Sequence, residues 1–357
     1  MEANRIRLLR VLLQDQHLEA LLVTNRFNRA YMTGFTGSSG CVLITLDRAY
    51  LFTDFRYRSQ APLQARHYEV IEHGPKVLES VKATLQELKI ARLGFEQSDV
   101  SFALYSMIAQ ELEGIILVPV SDVVEELRMI KSVEELQIMQ EAADLADRTF
   151  THILSFLRPG IPERDIALEI EFFMRKAGAA SSSFETIVAS GERSALPHGI
   201  ASDRLLGSNE FVKLDFGAYY KGYCSDITRT IMLGKPSSKH KEIYDVVLEA
   251  QLNALEKIQP GMTGQQADAL TRDIIISYGY GDHFGHGTGH GLGMEIHEAP
   301  RLTRTSDTVL KPGMTVTVEP GVYIPDFGGV RIEDDIVITE TGLRILTQST
   351  KDFTIID

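Results

Sequence analysis

At 357 residues the chain exceeds what one ordinary hydrophobic core organises, so two domains are expected. Hydrophobic residues make up 44% and charged residues 24%, the balance of a soluble globular protein, and no stretch reaches the roughly 20 apolar residues of a membrane span. A formal net charge of −13 repels phosphate backbones and argues against nucleic acid as a partner.

Residues 4–14 mix Arg5, Arg7 and Arg10 with Ile6, Leu8, Leu9, Leu12 and Leu13, the pattern of a surface helix with one buried stripe rather than an export signal. Segments 20–24, 41–45, 50–53, 69–71, 91–95 and 115–118 read as strands. Amphipathic segments 77–89 and 102–112 read as helices between them. Residues 1–122 are therefore expected to form a small α/β domain. Ser132, followed three residues later by Glu135, forms a capping box for a long helix through Ile138, Ala142, Leu145 and Phe150, which opens a second domain over 123–357. Only Cys41 and Cys224 are present, too few to staple such a chain, which points to a reducing compartment and a cytoplasmic location.

The second domain contains a repeat. Arg158-Pro159-Gly160-Ile161 precedes a helix ending near Gly178, and Gln259-Pro260-Gly261-Met262 precedes one ending near Gly279. The matching starts and stops predict two related halves, with helices packed on a curved sheet and a cleft between the halves.

Five residues in the second domain carry the chemistry. Strand-prone runs on either side of 218–222 predict a hairpin whose turn, centred on Tyr220-Lys221, sets Asp215 opposite Asp226 on one face. Like charges so placed need a proton or a cation between them. Residues 279–293 hold seven glycines interleaved with His283, His286 and His290, and His297 follows; neither G-x-G-x-x-G nor G-x-x-x-x-G-K occurs there. His283 is the member of this group expected to be structural. Glu319 ends a strand before Pro320-Gly321, while Arg331 and Glu333 share one face of the next strand by period-two alternation. Two aspartates, a histidine and two glutamates, without thiolate, suit hard or borderline divalent cations, and four carboxylates suffice to hold a pair of them.

In this order Asp215, Asp226, His290, Glu319 and Glu333 resemble the ligand set of the pita-bread metallopeptidases. The carrying motifs are Leu-Asp-Phe-Gly at 214–217, Ser-Asp-Ile-Thr-Arg-Thr at 225–230, Gly-His-Gly-Thr-Gly-His-Gly-Leu-Gly at 285–293, Val-Glu-Pro-Gly at 318–321 and Arg-Ile-Glu-Asp at 331–334. Residues 1–122 are similar to the creatinase-type domain of aminopeptidase P and prolidase. Phe-Thr-Gly-Ser at 35–38 and Thr-Asp-Phe-Arg-Tyr at 53–57 look like aminopeptidase P, whereas the short interval between Glu319 and Glu333 is similar to compact prolidases.

The resemblance implies an α+β pita-bread domain with pseudo-two-fold halves after the α/β domain. It implies two divalent ions per chain, Mn²⁺ first with Co²⁺, Zn²⁺ or Fe²⁺ as alternatives, and a bridging hydroxide that cleaves the Xaa-Pro bond at the N-terminus of short peptides. Glu319 would hold the metals and shuttle a proton, His198 and His297 would stabilise the oxyanion, and His286 and Arg331 would position substrate. A homodimer is implied as well. The aminopeptidase P-like reading stands first and a strict Xaa-Pro dipeptidase second. A creatinase or a non-catalytic binding protein is remote, because no ligand is missing.

Overall fold

The computed structural model describes residues 2–357, which fall into two compact units meeting at Arg128/Met129. The first unit is built on a six-stranded mixed sheet in the order Glu69–Glu72, Ala49–Thr53, Cys41–Thr45, Ala20–Val23, Arg92–Glu96, Ile116–Val120. Its core gathers Leu22, Leu43, Phe52, Val81, Leu93 and Ile108 from strands and from the helices Val77–Glu87 and Phe102–Glu111. The six strands and two helices expected from sequence are present with ends moved by one or two residues. A helix over Arg26–Thr33 was not expected, because its buried face includes Asn28 and Arg29. Those polar groups are tolerated because Asn28 bonds Glu96 and Arg29 bonds the Gly37 and Gly40 carbonyls. The division lies beyond residue 122 because the helix Val123–Met129 belongs largely to this unit, where Glu125 accepts from Asn28 and the Leu127 carbonyl accepts from Tyr31.

The second unit repeats one motif. The long helix Val133–Leu154, opened by the Ser132–Glu135 capping box, is followed by Glu163–Lys176. The long helix Ser238–Lys257 is followed by Gly264–Ser277. Main-chain bonds repeat too: Gly160 N donates to Leu206 O and Glu163 N to Arg204 O, as Gly261 N does to Leu310 O and Gly264 N to Thr308 O. The first helix pair buries Leu145, Phe150, Ile166 and Ile170 against Leu214, Phe216 and Ile231 of a four-stranded sheet. The second buries Ala254 and Ala267 against Val316, Val318 and Ile336 of a five-stranded sheet. Each fully buried large apolar side chain contributes roughly 1.5–3 kcal/mol, so each sheet's helix-facing side is fixed and its alternate side chains must point the other way. Those alternates supply part of the site, Asp215 among them.

Candidate active site

Asp215 lies on the strand Glu210–Phe216, between the core residues Leu214 and Phe216, and so faces away from the helices. The hairpin beyond it turns at Lys221-Gly222, both with positive φ, the twist that suits a two-residue connection. The expected turn at Tyr220-Lys221 is therefore corrected, and Asp215 pairs with Thr228 rather than with Asp226. The shift is two residues, so Asp226 keeps the face of Thr228 and of Asp215. His290 sits on a three-residue strand, Gly289–Gly291, inside the glycine-rich segment. A Cβ at Gly289 would collide with the Thr317 carbonyl of the neighbouring strand, so glycine lets the two backbones approach. Glu319 follows the strand Thr315–Val318, and Glu333 follows Gly328–Arg331, with Val330 and Ile332 in the core behind it.

All nine residues singled out from sequence (His198, Asp215, Asp226, His286, His290, His297, Glu319, Arg331 and Glu333) line one cavity of about 490 Å³. Within it Asp226, His290 and Glu333 each present a ligand atom within 4.8 Å of one another. His290 Nε2 lies 3.7 Å from Asp226 Oδ2 and 3.5 Å from Glu319 Oε1. Its Nδ1 lies 3.1 Å from the Gly291 carbonyl; a proton donated there leaves Nε2 free as a ligand. Asp215 stands apart from this trio, held by the Arg331 guanidinium.

The charge balance shows what the site lacks. Burial pushes the Asp226 carboxyl well up, and Glu333 and Asp215 push it further; Glu333 is raised by burial and by Glu319 and Asp215. Glu319 is pushed up to about 7, by burial first. Against these acids stand the buried Arg331 and, on the strand of Asp215, the buried Lys213, and among the described residues Asp226 Oδ1 is buried without a hydrogen-bond partner. Burial also lowers His286 and His290 to about 3, so both are neutral near pH 7. Buried carboxylates with an orphaned oxygen beside a neutral imidazole fit divalent cations, and no protein group replaces those cations.

The outer residues divide into committed and free. Arg331 donates through Nε to Thr228, through Nη1 to Pro197 O and Tyr323, and through Nη2 to Asp215, which leaves it poorly placed to grip substrate. His286 has Nδ1 2.7 Å from Gly287 O and Nε2 2.7 Å from the Tyr323 hydroxyl, so both nitrogens are engaged. His297 packs edge-on against His290, with ring centroids 4.4 Å apart, and neither the His297 nor the His198 imidazole makes a hydrogen bond among the described residues. His283 stands off the cavity, with Nδ1 3.1 Å from Tyr323 O. Sequence reasoning missed Tyr323 and Arg301. Tyr323 gave no signal, since a tyrosine in a strand is ordinary. Arg301 lines the cavity and is exposed, with no hydrogen bond or ion pair to its guanidinium among the described residues. Its motif, Ala-Pro-Arg-Leu, reads as an edge strand.

Comparison with known proteins agrees with this geometry. The model for metallopeptidase family M24 matches residues 137–340, and that for the creatinase/prolidase N-terminal domain matches 5–130. An uncharacterized peptidase of Bacillus subtilis, YqhT, is 54% identical, covering 99% of this chain and 100% of its own. The solved Xaa-Pro dipeptidase from Bacillus anthracis superposes with a TM-score of 0.98 at 53% identity, covering 99% of this chain and 100% of that one. The X-Pro aminopeptidase from Thermotoga maritima superposes with a TM-score of 0.90 at 38% identity, covering 95% and 98%.

Proposed function

This chain belongs to metallopeptidase family M24, and from that membership and the site we propose that it hydrolyses the peptide bond before proline in short peptides. The observation that carries the reading is the cluster of buried carboxylates around His290, with Asp226 Oδ1 unpartnered among the described residues. Asp226, His290 and Glu333, with Asp215 and Glu319, are the residues that would hold two divalent ions. Such ions supply Lewis acidity and lower the pKa of water towards neutrality. We take Mn²⁺ first, with Co²⁺, Zn²⁺ and Fe²⁺ as alternatives of the same donor preference.

The chain's own groups account for the remaining steps. Glu319 takes a proton from the attacking water at its carboxylate and returns it to the proline nitrogen as the C–N bond breaks. His297 and His198, whose imidazoles make no hydrogen bond among the described residues, reach the carbonyl oxygen of the scissile bond as donors while charge develops there. Arg331 acts indirectly, fixing Asp215 and Tyr323, and Tyr323 in turn engages His286. Proline's tertiary amide has no N–H, so a site for it need not supply an acceptor for one at the scissile nitrogen. No described helix is long and apolar enough to cross a membrane. The reading includes a homodimer in the cytoplasm, supported by the family resemblance and by two buried free cysteines.

A stricter reading, preference for Xaa-Pro dipeptides, is supported by Arg301. In a dipeptide the carboxylate follows proline directly, and a free guanidinium at the cavity can take it in a two-point ion pair. Kinetics on Ala-Pro, Ala-Pro-Ala and Ala-Ala-Ala test both. Cleavage of the first two and not the third is expected, with Ala-Pro preferred. Arg301→Ala should raise KM for Ala-Pro about tenfold and change Ala-Pro-Ala less. Efficient cleavage of Ala-Ala-Ala removes the proline claim, and an equal effect of Arg301→Ala on both substrates removes the dipeptide preference.

A further inference from the structure

The strand that carries Asp215 also carries Lys213. Alternation sends Leu214 and Phe216 into the helix-packed core and Lys213 and Asp215 to the other face, where Lys213 is fully buried. Its ammonium forms no ion pair with a carboxylate among the described residues. It donates instead to three main-chain carbonyls of a single segment: Leu196 at 2.6 Å, Ser194 at 3.1 Å and, more weakly, Pro197 at 3.4 Å. Every hydrogen bond the Lys213 amine donates among the described residues goes to that segment.

The segment leads into His198. Leu196 O accepts from Lys213 and also from the Gly199 amide at 3.2 Å, so one carbonyl closes the turn around His198. At its base the same loop is stapled by the buried Glu163, which accepts from Ser190, Arg193 and Ser202. The His198 imidazole itself is exposed at the cavity and has no hydrogen bond among the described residues to hold it. Its place is therefore set through the backbone beneath it. We propose that Lys213 is the positioning residue for His198, holding the 194–197 carbonyls so that the imidazole reaches the substrate carbonyl. A purely packing role would ask for an apolar side chain at this place on the strand, without three directed donors. The proposal rests on the peptidase reading for what His198 does, although the coupling of Lys213 to the loop does not.

Lys213→Met keeps the length of the stem and removes the donors. We expect kcat on Ala-Pro to fall roughly ten- to hundredfold with little change in KM, the loss shown by His198→Ala, while metal per chain stays at the wild-type value. The double variant should be no worse than His198→Ala alone, since the two residues act as one unit. Lys213→Arg, which restores donors to the same carbonyls, should recover most of the activity. Hydrogen exchange over 194–200 should rise in Lys213→Met and not in His198→Ala. Additive losses in the double variant, loss of metal, or unchanged exchange each overturns the proposal. If Lys213→Met does not fold, the same measurements are read on Lys213→Gln. If the wild-type enzyme cleaves neither Ala-Pro nor Ala-Pro-Ala, the peptidase reading fails, and loop exchange still decides the role of Lys213.

Discussion

Residues 333–335 are three consecutive acids, and the two sides of the chain there treat negative charge differently. Asp334 is fully buried, and its carboxylate accepts from Arg229, Lys351, Gln251 and Thr347 at 2.6–2.9 Å. Burial alone would raise its pKa, but Arg229 and Lys351 outweigh burial and lower it. On the other side Glu333 and Asp335 are equally buried and both raised well above the usual carboxylate range, by burial first. Glu333 has one short bond from Thr228, and Asp335 Oδ1, like Asp226 Oδ1, has no partner. The same residue type at the same depth is thus complete on one side and incomplete on the other. Where an acid serves the fold, the fold supplies the countercharge; around the cavity the countercharge has to come from outside the chain.

The largest expected effect follows from removing that outside charge. Chelation should abolish peptidase activity, and Mn²⁺ or Co²⁺ should restore it with two ions per chain. Full activity in protein with no detectable transition metal would break the comparison at its root.

Substitution on each side gives the next effect. Asp334→Asn leaves Arg229 and Lys351 around a neutral group and should cost about 3–5 kcal/mol of folding stability in a denaturant titration. Asp226→Asn removes a carboxylate already opposed by its neighbours, so metal-free stability should hold or rise while bound metal falls. Equal destabilisation by the two variants would show that Asp226, too, is a structural acid.

The smallest effect is a pH dependence confined to metal-free protein. Glu319 titrates at about 7 when folded, against an ordinary 4.5, so between these values the folded chain holds a proton that the unfolded chain releases. The stability of metal-free wild type relative to metal-free Glu319→Gln should therefore fall as pH rises from 4.5 to 7, by on the order of 1–3 kcal/mol. His286 and His290, neutral when folded, act in the opposite direction below pH 6.5, and comparison with Glu319→Gln removes the part of that effect the two proteins share. A flat difference, or the same slope with metal bound, contradicts the assignment of the incomplete charge to Glu319.

The residues of the site were legible because their signals are local. Period two placed Arg331 and Glu333 on one face, and that face does line the cavity. The hairpin register was misplaced by two residues, and parity rescued the conclusion, since a shift of two leaves every side chain on its face. The repeat in the second unit was legible for a similar reason, as each Pro-Gly turn stands beside the helix it opens. What could not be read was where long side chains go. Arg331 was expected to grip substrate, but its donors turn inward to Thr228, Pro197, Tyr323 and Asp215, while Arg301, eleven residues from His290, stands free at the cavity.

By itself, then, the sequence determined which residue types could gather round a cation, on which faces of which strands, and within which two repeated halves. Those properties depend on backbone periodicity and on turns a few residues long. Only the tertiary structure decided which charges are compensated. Asp334 and Glu333 are adjacent in the chain and opposite in character because Arg229 and Lys351 reach one and not the other. Coulombic and hydrogen-bond partners act over a few ångströms of space, whatever their separation along the chain, so the difference between an acid that holds the fold and one that holds a metal appears only once the strands are packed.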